Sequence, residues 1–301
     1  MDNRKEAREF LVSRRARITP EDAGLPNFGG IRRVPGLRRE EVALLAGVSM
    51  EYYTKLERGG LAGVSETVLD ALSRALQLDA AERQHLANLA RAAGPARRTA
   101  RRQPATAVQP SVQTVLDSMN GIPAFVRNGR LDILAINDLG RALYFEAFLS
   151  PVRPVNLARF QFLDPRSRNL YPDWDKAADT GAALLHTEAG RDPYNKDLTD
   201  LIGELSTRSE DFRVRWAAHD VRLHHTGVKA FHHPAVGCLD LGFEAMDLNA
   251  DEGLTLTTYT AEPGSPSADG LRLLASWAAS TLEEATGRDV ESVRRDRSTG
   301  D

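Results

Sequence analysis

Eight side chains between Arg38 and Lys55 have the types and order needed to read duplex nucleic acid: Arg38, Arg39, Ser49, Met50, Glu51, Tyr52, Thr54 and Lys55. The two arginines suit phosphate oxygens, which set register without carrying sequence information; the hydroxyl, amine and carboxylate groups that follow suit base edges. Two histidine pairs, His224-His225 and His232-His233, raise a metal reading. Adjacent residues on a strand point to opposite faces, so each pair offers one ligand per face. No cysteine or carboxylate cluster completes a tetrahedral set, and no metal is expected there. The chain has no glycine-rich phosphate loop, nucleophile elbow or HExxH. Asp211 with His219 or Asp220 reads as surface and capping chemistry, so no catalytic residue is expected.

The elements that must position the first set run from Arg38 to Gly59. Val42 and Leu45 give a first helix one apolar face, Gly47 can take the left-handed conformation that ends it, and Ser49 can cap a second. Ala43 is small where two helices cross, Val48 plugs the corner, and Tyr53 and Leu56 face inward, leaving Met50, Glu51, Tyr52, Thr54 and Lys55 outward. This is the pattern of a helix-turn-helix, whose second helix enters the major groove. Leu44 and Leu45 need cover, either from the Pro- and Gly-rich connection between Ile18 and Leu37, which carries Arg32 and Arg33, or from a partner subunit.

Charge divides the chain: 19 basic and 13 acidic residues through Pro104 against 20 and 29 beyond it. A basic third joined to an acidic remainder fits a nucleic-acid-binding module tethered to something else. Helices are expected over residues 3–16, after Ser65 with Val68, Leu72 and Leu76 on one face, and after an Asp79-x-x-Glu82 capping box with Leu86 and Leu89. The expected division is an all-α bundle over 1–94, a basic linker over 95–111 whose four arginines either add to DNA affinity or only solubilise, a second domain over 112–285, and a tail over 286–301. The single cysteine, Cys238, excludes an internal disulfide, and no apolar run approaches a membrane span; a cytoplasmic protein is expected.

In the second domain a helix with Leu116 precedes a hairpin over 124–137 that turns at Asn128-Gly129. Helices follow after Asn137, over 156–163, from Pro172, and around Leu198 to Leu205. Residues 211–220 fit either a strand or a helix. Strands are expected over 228–233, 239–246 and 254–260, then a last helix with Leu271 and Leu274. Helix, hairpin, helices and a three-stranded run is the order of a PAS-like α+β sheet covered on one face. The space beneath the helices is either packed core or a small-molecule cavity, with Phe125, Ile136, Phe145, Phe148, Phe162, Trp174, Trp216 and Phe243 as lining candidates.

Residues 33–57, Arg-Val-Pro-Gly-Leu-Arg-Arg-Glu-Glu-Val-Ala-Leu-Leu-Ala-Gly-Val-Ser followed by Tyr-Tyr-Thr-Lys-Leu-Glu, resemble the xenobiotic-response-element-type helix-turn-helix regulators of bacteria. Pro-Ala-Phe-Val-Arg-Asn-Gly-Arg-Leu-Asp at 123–132, Thr-Glu-Ala-Gly-Arg-Asp-Pro at 187–193, Gly-Glu-Leu-Ser-Thr-Arg-Ser at 203–209 and Tyr-Thr-Ala-Glu-Pro-Gly-Ser-Pro-Ser at 259–267 resemble the MmyB-like transcription regulators. The resemblance implies a homodimer on a double-stranded DNA operator and a PAS-like effector domain that holds an apolar small molecule such as a fatty acid, with no required cofactor and no membrane partner. The alternative is a metal-sensing or enzymatic second domain tethered to DNA.

Overall fold

A computed structural model describes residues 3–25, 34, 36–94, 107–220, 225–251 and 253–280. The chain divides into two units: Met1–Gln103 with Ala178–Leu223, and Pro104–Ala177 with His224–Asp301. Residues 178–223 thus group with the amino-terminal helices, although the sequence pattern alone ran them on with the sheet.

The first unit contains α1 (Asn3–Arg17), α2 (Arg39–Ala46), α3 (Met50–Glu57), α4 (Glu66–Ala75) and α5 (Ala80–Ala93). Their core is Phe10, Leu11, Leu37, Val42, Tyr53, Leu56, Leu72, Leu86 and Leu89, all shielded from water. Three helix starts are capped as their sequences dictate: Ser49 accepts from the Tyr52 N–H, Ser65 from Val68, and Asp79 and Glu82 exchange bonds as a capping box. Gly47 ends α2 in the left-handed region at φ 64°. One detail of α2 differs from expectation. Its buried residues are Val42, Ala43 and Ala46, and Leu45 lies outside, because two small alanines let α2 approach its neighbours more closely than a leucine would.

Later in the chain α11 (Trp174–Arg191), α12 (Lys196–Arg208) and α13 (Glu210–Ala217) appear, and the division between units falls inside α11. Leu198, Leu201, Ile202 and Leu205 form the buried stripe of α12. The ambiguous stretch after Ser209 is helical: Ser209 caps α13 by accepting from the Phe212 N–H, and a local cap outweighs the alternation of Phe212, Val214 and Trp216.

The second unit is built on a five-stranded antiparallel sheet. It consists of β1 (Ala124–Asn128), β2 (Ile133–Ile136), β3 (Thr226–His233), β4 (Gly237–Asp247) and β5 (Leu254–Thr260), in the order β2-β1-β5-β4-β3. One face packs α6 (Pro110–Asp117): Ala124, Val126, Ala135 and Leu254 meet Leu116. The hairpin is longer than an Asn-Gly turn. Asn128 accepts from the Arg130 and Asp132 N–H groups, so β2 begins at Ile133. Asn137 caps α7 (Asp138–Leu143), Asn156 caps α9 (Leu157–Leu163), and between them lies α8 (Phe145–Phe148). The helix α10 (Ser167–Leu170) leads to α11, and α14 covers 266–280.

Candidate functional site

The helix-turn-helix presents the expected row. On α3, Tyr53 and Leu56 are fully buried, while Glu51 and Lys55 are exposed, Met50 is 53 % exposed, and Tyr52 and Thr54 are half-buried. Tyr52 packs in part against the core and keeps part of its surface exposed. Ser49 spends its hydroxyl on the cap of α3. Arg38 is exposed at the start of α2, its backbone N–H donating to Glu41 and its guanidinium 3.5 Å from Glu40.

Arg39 has a structural bond as well. Glu57, at the last turn of α3 and only 1 % exposed, accepts from Arg39 Nε and, at 2.5 Å, from Arg15 Nε; the Tyr53 hydroxyl donates to it at 3.3 Å. The carboxylate ties α1, α2 and α3 together and fixes the angle at which α3 is presented. Burial, with the Glu57 charge adding to it, holds the Tyr53 hydroxyl above its ordinary range. Sequence reasoning missed Glu57, although a carboxylate at helical spacing from Tyr53 was visible. Leu44 stands 72 % exposed beside this surface. The connection expected to cover it falls partly outside the described residues, as do Arg32, Arg33, the linker arginines and His224.

On the second unit, strand parity places Phe125, Arg127, Lys229, Phe231, Leu241, Phe243, Thr257 and Tyr259 on the sheet face opposite α6. Phe125, Tyr144, Phe231 and Tyr259 pack ring to ring, with centroids 5.3–6.3 Å apart, and Tyr171 joins through Phe231 at 5.9 Å. The Tyr144 and Tyr259 hydroxyls are hydrogen-bonded at 2.6 Å. Burial raises all three tyrosines, Tyr259 to about 12. Over these rings lies Lys229 Nζ, 4.3 Å from the Tyr171 centroid and 5.4 Å from that of Phe231. Lys229 keeps some accessible surface, yet burial, helped by the charge of Arg127, brings its ammonium down to about 7. The Thr257 hydroxyl is buried on the same face with no hydrogen-bond partner among the described residues.

The aromatic residues picked from sequence are only partly gathered there. Phe125 and Phe243 belong to the cluster, and Ile136 sits beside Phe125 in the register of β1 and β2. Phe145 packs on Trp277, Phe148 lies under Arg141 and Arg153, and Phe162 pairs with Trp174. Trp216 is a correction. It belongs to the first unit, stacked on His186 with ring centroids 3.5 Å apart, because the helical form of α13 turns it to that side. The residues missed were the polar ones, and the available signal was a cation, Arg127 or Lys229, at the inward parity of an otherwise apolar strand. His232 and His233 do point to opposite faces; His233 is buried, with Nε2 3.0 Å from the Ala142 carbonyl oxygen.

A family model for the ligand-binding domain of MmyB-like transcription regulators matches residues 108–274, more than half of the chain. The chain belongs to the MmyB-like transcription regulators. A second model, described as a helix-turn-helix domain, matches residues 6–86 of this MmyB-like chain. No curated protein matches it. A helix-turn-helix with its outer face exposed, followed by an MmyB-like ligand-binding domain, makes this a DNA-binding transcriptional regulator. Among the described residues no helix is long and apolar enough to cross a membrane.

Proposed function

We propose that this MmyB-like regulator binds its operator sequence-specifically as a homodimer, without catalysing a reaction, and responds to an amphipathic small molecule of the fatty-acid class. The observation that carries the DNA reading is the split of α3 into a buried row, Tyr53 and Leu56, and an exposed row containing Glu51 and Lys55. Two recognition helices in a symmetric dimer would meet half-sites about 34 Å apart. The test uses the full chain on a duplex selected from a random pool. Lys55→Ala is expected to cost about 1–3 kcal/mol on the selected site and far less on a scrambled duplex. Arg38→Ala is expected to weaken both alike and to lower the salt slope by about one. Equal losses for Lys55→Ala on both duplexes would remove Lys55 from the reading role.

The effector reading rests on Lys229. An apolar chain suits Phe125, Phe231 and Phe243, and a carboxylate suits a poorly hydrated ammonium held over the Tyr171 and Phe231 rings. The sign of the pH dependence follows. With its value lowered to about 7, Lys229 is charged below that pH and neutral above it. A bound carboxylate favours the charged form, so affinity for a fatty acid falls as pH rises from about 7 to 9, and binding takes up a proton in that window. The fatty alcohol of equal length is expected to bind with no such slope, and Lys229→Gln to flatten the acid's profile. Calorimetry in buffers of different ionisation enthalpy measures the proton. Equal, pH-independent affinities for acid and alcohol would exclude Lys229 as the carboxylate's partner. The regulatory effect then requires only that the ligand bind one arrangement of the protein better than another.

A further inference from the structure

Within the first unit, three side chains far apart in sequence converge behind the helix-turn-helix. Glu6 of α1, His186 of α11 and His219, just after α13, are all buried or nearly so, and one ligand atom from each lies within 4.8 Å of the others. Glu6 Oε1 is 3.2 Å from His186 Nδ1 and 3.5 Å from His219 Nδ1. Ligand atoms bound tetrahedrally at about 2.1 Å sit about 3.4 Å apart, so the two Glu6 spacings suit an ion between them, while the remaining pair, within 4.8 Å, must close by up to about 1.4 Å.

The outer nitrogens decide the chemistry of the inner ones. His186 Nε2 lies 2.7 Å from the Trp216 carbonyl oxygen, which can only accept, so Nε2 carries the proton. His219 Nε2 faces Glu9 Oε2 at 3.5 Å, again an acceptor. Each ring then presents Nδ1 to the Glu6 carboxylate, with His186 Nδ1 within hydrogen-bond distance of Oε1. A shared proton would satisfy that one contact, whereas a cation at the centre would satisfy all three atoms. His219 Nδ1, 3.5 Å from the same oxygen, is buried with no hydrogen-bond partner among the described residues, so a proton shared by His186 and Glu6 leaves it unsatisfied. One divalent ion accepts both lone pairs and the carboxylate at once. The oxygen partners on the outer nitrogens are the supports that orient histidine ligands in metal sites.

We propose that Glu6, His186 and His219 bind a borderline divalent transition ion, zinc by preference, with water in the fourth position. The ion would join the first helix of the head to residues 178–223, so that their packing depends on metal. The test uses the full chain without a histidine tag, stripped with a chelator and titrated with zinc alone or cobalt alone. Expected are one zinc per chain, visible bands of tetrahedral cobalt, and a melting temperature raised by about 5 °C or more at saturation. Glu6→Gln, nearly isosteric, and His219→Ala are expected to weaken zinc binding more than about 100-fold, whereas His225→Ala leaves it unchanged. The wild-type titration stands even where a variant fails to fold. No stoichiometric zinc at up to about 100 µM, absent cobalt bands, or binding indifferent to Glu6→Gln would overturn the site.

Discussion

Gly59→Ala is expected to unfold the DNA-binding head. Gly59 follows α3 with φ 86°, and a Cβ there would lie 2.3 Å from the Arg4 carbonyl oxygen and 2.7 Å from Arg4 Cα. These are backbone atoms of α1, so relief comes only by moving the helix. That movement would open the contacts of Ala7, Phe10 and Leu11, all fully buried. Left-handed strain for alanine adds about 1–2 kcal/mol, and strain plus disrupted packing should exceed about 4 kcal/mol. Gly63 is the control. It also has a positive φ, 73°, but nothing lies within 4 Å of an added Cβ. Gly63→Ala should therefore lose only about 1 kcal/mol. Thermal melts of the two variants, followed by duplex titration, separate the effects; equal losses would contradict the close approach of Arg4.

The second large effect is expected at Glu57. Truncation to alanine leaves the part-buried Arg15 guanidinium and the Tyr53 hydroxyl without the carboxylate they share, and removes the bond to Arg39. Breaking a buried pair from one side costs about 3–5 kcal/mol, so Glu57→Ala should lose roughly that in urea unfolding, and Glu57→Gln somewhat less. Arg39→Ala should lose only about 0.5–1 kcal/mol, since half of that side chain faces solvent. A weaker duplex affinity in Arg39→Ala therefore mixes a lost phosphate contact with a loosened α2–α3 angle. Comparing it with Arg39→Lys, which keeps charge but not the fork, distinguishes them. Urea midpoints within experimental error of wild type for Glu57→Ala would show that the carboxylate ties nothing together.

Local signals in the sequence were sufficient for the corner at Gly47-Val48-Ser49 and for the strand alternation of Leu239, Leu241 and Phe243, because a left-handed turn, a cap and a period of two are each decided within a few residues. They also gave a hairpin and a later three-stranded run as parts of one PAS-like sheet, but not the order β2-β1-β5-β4-β3, in which the hairpin joins through β5. What they did not carry is pairing at a distance. Glu57 reads as an ordinary helix-end carboxylate until Arg15, 42 residues away, is seen to meet it. Trp216 carries equal apolar weight on either side of α13, and only the fold decides which side is buried. The expected ligand lining was drawn from apolar residues alone, whereas the sheet face opposite α6 also carries Arg127, Lys229, Thr257 and Tyr259.

The wrapping of α1 by residues 178–220 has a practical consequence. Glu6 meets His186, Arg14 meets the His219 carbonyl oxygen, Arg17 meets Asp220, and Gly190 leaves room for His85. A fragment cut after Pro104 would strip these partners from α1 and expose ionised groups that the intact chain keeps matched. The reading head is therefore not a detachable cassette. A chimaera that borrows it from one regulator for another must transplant two separate stretches of gene, or it will inherit a helix made for neighbours it no longer has.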